Sequence, residues 1–316
     1  QALQHNLDVQ IQRYNPQISL YNLDAAYAGY DPTFNISGQH NHNVSPGGSF
    51  NQYSTNPIPA RVTDSDSFSS GIGGTLPEGL QYNFSGNIAD TTSSANPEST
   101  AGSVGVTLTQ PLLKNFWIDN TRLAVKVAKN RLKYSKQGLR QQLMTTVNAV
   151  ENAYDELIFA QENVKVQQDA LILAQTQLDQ DQQRVQVGSL APLDVQQDEA
   201  QVATSQASLI AAQNTESVDQ NTLKALLTDS YSQWHDQDIE PTATLTANLQ
   251  LFDLQDSWSK GMELRPDLIQ ATLNVEQQGI QLKYSHNQIF PELDLIGSYG
   301  FNGASKEYSG TFDQFG

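Results

Sequence analysis

Two histidines two residues apart, His40 and His42 in GQHNHN, are the first side chains in this chain whose spacing could do chemistry. On an extended segment both would project from one face and offer imidazole nitrogens to a metal. No third ligand is near in sequence, and a solvated strand end explains the pair as well. The glycine-rich run GIGGTLPEG lacks the Lys and Ser/Thr of a phosphate-binding loop, so a turn between strands is the simpler reading. Glu151 and Asp155 stand at helical spacing, and Asp179 and Asp181 lie close together further on. Both pairs read as solvated helix faces, with the lining of an acidic passage as the alternative. The absence of any Cys removes thiolate zinc sites, disulfides and cysteine nucleophiles together. Nothing assembles a nucleophile, base and orienting group, so the expectation is a protein that is not an enzyme and needs no cofactor.

Composition narrows the partners. Asp and Glu number 34 against 17 Lys and Arg, a formal charge of -17. Nucleic acid is excluded as a partner, because neutralising phosphates needs clustered basic residues. The acidic excess suits a solvated surface or an interior that attracts cations. No stretch approaches the ~20 apolar residues of a membrane-spanning helix, and no basic-then-apolar leader opens the chain. Membrane contact would therefore use strands, and any export signal would already have been removed.

Elements that could position such a passage emerge from an internal repeat. Sliding the chain by 259 residues lays NLDVQIQRYN…YDPTFNISGQ over RPDLIQATLN…FPELDLIGSY. Asp8 falls on Asp267, Asn15 on Asn274, Pro32 on Pro291 and Gly38 on Gly297, in the same order of helix, proline and alternating strand. The repeat predicts a duplication whose second copy is cut short, since Gly316 answers to position 57 of the first.

Residues 2–30 read as a helix ended by Pro32, which pushes Asp31 out of helical space. Four strands are expected next, over Phe34–Gln39, Phe68–Leu76, Leu80–Ile88 and Val104–Leu112, with Val44–Asp66 as a surface loop. In these segments and again in FPELDLIGSYG, Phe34, Ile36, Leu293, Leu295 and Tyr299 alternate with Asn, Ser, Glu and Asp. Such alternation marks a half-buried strand, and equally a membrane-barrel strand with lipid on one side and a wet lumen on the other.

From about Asp119 the period changes to helix. Leu143, Val150, Leu157, Val164, Leu171, Leu178 and Val185 recur every seven residues, predicting a helix to Val187 of roughly 100 Å supercoiled against a neighbour. The alternate seam reads Val147, Tyr154, then Gln161, Gln168, Gln175 and Gln182. A polar stripe of that kind fits a wall with water on one side, or a plain coiled coil with a polar seam. Then RVQVGSLAPLDVQQ breaks the pattern. Gly188 stands where a left-handed helix cap is needed, Pro192 where a helix restarts and Asp194 where a carboxylate meets the positive helix end. The prediction is an antiparallel hairpin whose second helix runs to about Leu227. Apolar Val187, Leu190 and Leu193 at its tip suit a docked partner or packing against neighbouring hairpins.

Taken together, YDPTFNISG, TLTQPLL, VGSLAPLDV, VDQNTLKALL and LRPDLIQA followed by FPELDLIGSYG resemble the TolC-like outer-membrane efflux family, over essentially the whole chain. The resemblance implies an α+β membrane protein: a long antiparallel helical hairpin as the wall of a periplasmic tunnel, plus strands of a trimeric outer-membrane β-barrel, with internal duplication. It further implies a homotrimer of four strands and two hairpins per protomer. Such a trimer would be embedded in outer-membrane lipid and would export solutes or polypeptides once a periplasmic adaptor and an inner-membrane transporter dock. By motif match, Val187, Gly188, Ser189, Leu190, Leu193 and Asp194 are the implied adaptor-docking tip, with Arg184 one turn before it. The strand pair 68–88 exceeds the two strands implied per unit and is expected to extend the hairpin above the membrane.

The expected divisions are a first helix (1–30), strands and loop (31–113), hairpin (114–230, tip 187–194), linker (231–251), second helix (252–290) and the start of a second β-hairpin (291–316). A soluble periplasmic adaptor and a coiled-coil surface stalk are the competing readings. Neither explains the duplicated helix-plus-strand unit.

Overall fold

The computed structural model describes residues 2–48, 59–243, 251–306 and 308–314. In chain order these form α1 (Ala2–His5), α2 (Leu7–Tyr27), β1 (Thr33–Ser45), β2 (Arg61–Thr75), β3 (Gln81–Ser93), β4 (Asn96–Pro111), α3 (Asn120–Gln186), α4 (Pro192–Leu227), α5 (Tyr231–Trp234), α6 (Leu254–Leu264), α7 (Pro266–Asn287), β5 (Asp294–Ser305) and α8 (Tyr308–Asp313). Two compact units are present: Gln1–Ser19 with Leu132–Leu273, and Leu20–Arg131 with Asn274–Gly316.

The second unit is built on one antiparallel sheet in the order β1-β2-β3-β4-β5. Its strands are joined by connections that sequence could only partly place. The expected loop Val44–Asp66 is shorter than predicted, because Arg61–Asp66 belong to β2 and pair with His40–Ser45; residues 49–58 of it lie outside the described residues. The stretch TDSDS hid this strand, being polar on both faces. The glycine-rich run is likewise mostly strand: Gly71, Gly73 and Gly74 sit in β2, and only Leu76–Leu80 forms the turn. There the amide of Leu76 donates to the Leu80 carbonyl at 2.8 Å, and Gly79 supplies the positive φ of 87° that the turn requires.

The strand pair that exceeds the expected two belongs to this same sheet. β2 and β3 stand between β1 and β4 as full members of the sheet, in continuous register with β1 and, from Gln81 to Thr91, with β4.

The first unit contains the hairpin of α3 and α4. Leu143, Val150, Leu157, Val164, Leu171, Leu178 and Val185 all lie on the covered side of α3, as the heptad predicts. The companion seam runs one residue earlier than expected. Thr146, Ala153, Ala160 and Asp181 are buried, and Gln167 and Ala174 are half-buried, whereas Gln168, Gln175 and Gln182 are exposed. Small side chains define this second seam, and on α4 Ser205 and Ala212 are buried in the same way, beside Val195, Val202 and Leu209. Away from the turn, near the end of α4, Ala153, Leu157 and Leu223 form a core, packed on by Val150, Tyr154, Leu226 and Ile239.

α6 and α7 are separated at Arg265, where the following Pro266 excludes helical backbone. Arg265 grips Asp267 through Nε–Oδ1 at 3.1 Å and Nη2–Oδ2 at 2.6 Å, and this holds the Asp267 carboxyl below its ordinary value.

Candidate functional site

The sheet separates two chemistries by strand parity. On one face the register aligns Phe34, Ile72, Phe84, Val106 and Tyr299 in a single row across all five strands, and Ile36, Val104 and Phe301 in the next. Leu295 lies on this face as well, and Leu293 precedes it at the same parity. Apart from half-buried Val106, the large apolar residues among these are 41–69% exposed, including Phe34 at 68% and Tyr299 at 69%. The apolar zone spans Leu295 to Gly303 on β5, about 26 Å along the strand at ~3.3 Å per residue. That length matches an apolar membrane band.

The zone ends at one row, His40, Asp66, Asp90, Thr100 and Ser305. His40 Nδ1 lies 2.7 Å from Asp66 Oδ1, and Thr100 Oγ1 donates to Asp90 Oδ1 at 2.7 Å. His42 is paired in the same way with Asp64. The two histidines that sequence offered as metal ligands are therefore each matched by an aspartate on the neighbouring strand. Among the described residues no group of three or more His, Cys, Asp or Glu could hold a metal ion.

The opposite face carries hydroxyls, amides and glycine: Asn35, Ser37, Ser69, Asn83, Ser85 and Thr107. Ser37 Oγ and Ser69 Oγ are 2.7 Å apart, and Ser103 bonds Asn87. A concavity of about 700 Å³ opens over this polar face. Its curvature has a local cause. Behind the bulky row of Phe34, Ile72, Phe84, Val106 and Tyr299, the next inward-facing row is Asn35, Gly71, Ser85, Gly105 and Gly300, so the sheet can close on the side that lacks side-chain volume. Among the described residues the polar face is charged only near its ends, at Arg61 and Asp294. Acidic selection by this part of a passage is thus not available, and the expected cation preference would have to arise on the helices.

Gly300 provides a sharp test of the packing. A Cβ there would sit 2.7 Å from the Val104 carbonyl and 3.0 Å from the Gly105 Cα, and backbone cannot yield. Gly300→Ala should cost about 1–3 kcal/mol, read as a lower melting temperature of the heat-modifiable folded form. Gly297→Ala, with nothing near its Cβ, should be silent.

At the hairpin tip, α3 ends in a Schellman motif. The amides of Gly188 and Ser189 donate to the carbonyls of Val185 (2.9 Å) and Arg184 (2.8 Å), and Gly188 holds φ at 76°. Ser189 Oγ also donates to the Arg184 carbonyl at 3.0 Å. Pro192 then opens α4, with Asp194 in its first turn. Val187 is 79% exposed and Leu193 63%, while Leu190 is half-buried. The tip therefore offers apolar surface on a rigid turn.

Sequence placed Asp181 on a solvated face; the structure buries it to 7% exposure on the small-residue seam. Arg184 Nη1 donates to it at 3.0 Å and Gln177 Nε2 at 2.6 Å. Asp198 of α4 stands opposite at the end of its own small seam, and its Oδ2 is shielded from water without a donor. Desolvation, then the facing Asp181, raises the Asp198 pKa above its ordinary 3.8. A raised folded value means that this contribution to stability is complete below 3.8 and is lost as pH rises through the folded value. Protection of the tip amides, corrected for intrinsic exchange, should therefore rise on mild acidification, and Asp198→Asn should remove that rise while protecting the tip at neutral pH.

The helices flanking α3 show a second pattern. In the first unit Gly138 of α3 is approached by Gln12 of α2 and Gln270 of α7. In the second unit Gly29 abuts Thr121, Lys129 lies 5.5 Å from the Tyr27 ring, and Asn287 Nδ2 donates to the Leu113 carbonyl at 3.2 Å. α2 is covered along Val9, Gln12, Pro16, Ser19, Leu23 and Ala26 and leaves Leu7, Ile11, Tyr14, Ile18 and Tyr21 54–69% exposed. α7 does the reverse: Pro266, Gln270, Leu273, Gln277 and Ile280 are covered, while Val275, Leu282 and Ile289 are 70–79% exposed. Shifted by 259, the covered seam of α7 falls on the exposed seam of α2, and the exposed seam of α7 on the covered one.

Comparison with known proteins accords with this architecture. Similar solved structures include VceC from Vibrio cholerae (17% identity, 99% of this chain and 62% of that one, TM-score 0.63). CmeC from Campylobacter jejuni is similar too (16%, 98% and 56%, 0.62), as is MtrE from Neisseria gonorrhoeae (16%, 98% and 58%, 0.56). All three are outer-membrane proteins, the latter two channels, and the chain spans about three-fifths of their length. No curated protein matches the chain at a significant level. The family model described as outer membrane efflux protein matches residues 1–228, and the chain belongs to that family.

Proposed function

We propose that this chain forms part of the wall of a trimeric outer-membrane channel-tunnel, a passive conduit through which solutes or polypeptides leave the periplasm. The exchange of covered and exposed seams between α2 and α7 carries this reading. Each helix packs on α3 by one seam, and the duplication assigns its other seam to a second helix of α3 type. Placed between α7 of one protomer and α2 of the next, such a helix covers both free seams, and the arrangement closes only as a ring. The apolar sheet face, with Phe34, Ile36, Leu293, Leu295 and Tyr299, meets outer-membrane lipid, and the hydroxyl- and amide-rich face lines the lumen.

The tip formed by Arg184, Val187, Gly188, Ser189, Leu190, Leu193 and Asp194 is the docking surface for a periplasmic adaptor. The adaptor links the tunnel to an inner-membrane transporter, which supplies the energy. The conduit needs only shape and surface chemistry, and the proposal includes no cofactor.

Fractionation of the native envelope tests the assembly. The full-length protein is expected in the outer-membrane fraction as an SDS-resistant species of three subunits that heating dissociates. Recovery as a soluble periplasmic monomer would overturn the proposal in favour of an adaptor.

A further inference from the structure

We propose that the hairpin of β2 and β3 is a membrane-embedded insert that widens the barrel wall and sets the bore of its outer end. This inference rests on the outer-membrane reading above.

Three observations carry it. First, β1 and β4 are not neighbours: β2 and β3 part them, paired along 13 positions with β1 (Thr33↔Gly73 to Ser45↔Arg61) and in register with β4 from Gln81↔Thr109. Second, the insert repeats the two-faced chemistry of the strands around it. Ile72 and Phe84 continue the apolar row between Phe34 and Val106, and Ser69 and Asn87 continue the polar row between Ser37 and Ser103. A hairpin standing above the bilayer would have no reason to carry large apolar side chains on one face at membrane depth. Third, the insert leaves closure intact. It adds two strands, so β1 and β4 remain antiparallel, and its register sets Phe34 level with Val106 and His40 level with Thr100, apolar beside apolar and polar beside polar.

The consequence is geometric. Barrel diameter grows roughly linearly with strand number, so each such hairpin enlarges the lumen. Apart from Arg61 at one end of β2, the added lumen surface is uncharged, formed largely by Ser, Asn, Thr and Gly. A wide bore lined by hydroxyls and amides fits bulky hydrophilic cargo and offers no charge filter for small ions.

Spin labels on single cysteines in the full-length protein, reconstituted in liposomes, decide the placement. Ile72→Cys and Phe84→Cys should be relaxed by oxygen and shielded from a water-soluble nickel complex, matching Val106→Cys and Tyr299→Cys on β4 and β5. Asn83→Cys should show the opposite preference. Nickel access at Ile72→Cys and Phe84→Cys, with Val106→Cys and Tyr299→Cys still in lipid, would overturn the insert and leave the outer-membrane reading standing. Nickel access at all four positions would overturn that reading and the insert with it. Excising residues 46–94 and joining the ends by Asn-Gly tests the bore. The size limit for polyethylene glycols entering from the strand end should fall, and an unchanged limit in a folded variant would contradict the inference.

Discussion

Ile11→Glu combined with Ile18→Glu reduces the assembled protein to monomers. These side chains are 64% and 54% exposed on the free seam of α2, at the spacing that places them on one stripe with Leu7, Tyr14 and Tyr21. Full burial of an isoleucine contributes about 1.5–3 kcal/mol. A carboxylate buried without a partner adds a desolvation cost of several kcal/mol. Two positions in each protomer therefore remove several kcal/mol from every subunit contact and leave buried charge there. The chain's own fold should survive, since neither residue lies on the covered seam. Light scattering in detergent should report the monomer mass while circular dichroism keeps its helical signal. Gln17→Glu with Asn22→Glu, exposed on neither seam, should leave the assembly intact. Assembly that survives the isoleucine substitutions would show that this seam is not an intersubunit surface.

Val187→Asp with Leu193→Asp should abolish export while leaving the assembled protein in the outer membrane. Both residues are apolar and exposed on a turn whose geometry is set by Gly188 and the carbonyls of Arg184 and Val185, so no core is disturbed. Loss of a central apolar anchor typically costs 2 kcal/mol or more, about a thirtyfold weaker complex at least. Affinity of the purified adaptor for the tunnel, and accumulation of an exported dye in cells, are the two readouts. Normal export by this variant would place docking elsewhere.

Much of this was legible in the residues themselves. The large apolar heptad from Leu143 to Val185 is the covered seam of α3, and Gly188 and Pro192 form the turn where their backbone preferences put it. Alternation revealed the outward row because Phe34, Tyr82, Phe84 and Val106 contrast sharply with Asn and Ser. The small seam escaped because Thr146, Ala153 and Ala160 carry little hydropathy signal, and the larger Val147 and Tyr154 beside them drew the eye. For the same reason Asp181 read as solvated, although it ends that seam facing Asp198. Sequence also could not say which strands are neighbours. Period two fixes which way a side chain points, while the position of β2 and β3 between β1 and β4 depends on pairing partners that no local pattern encodes. The repeat was the exception, a long-range signal readable by eye, and it is what gives meaning to the exchanged seams of α2 and α7.

The most direct measurement of the central claim is single-channel current through the full-length protein in planar lipid bilayers, with salt of different concentration on the two sides. The account predicts stepwise currents from three-subunit assemblies. Those currents should disappear for the Ile11→Glu, Ile18→Glu variant. A folded, trimeric, membrane-inserted protein that passes no current under any voltage or salt gradient would contradict it.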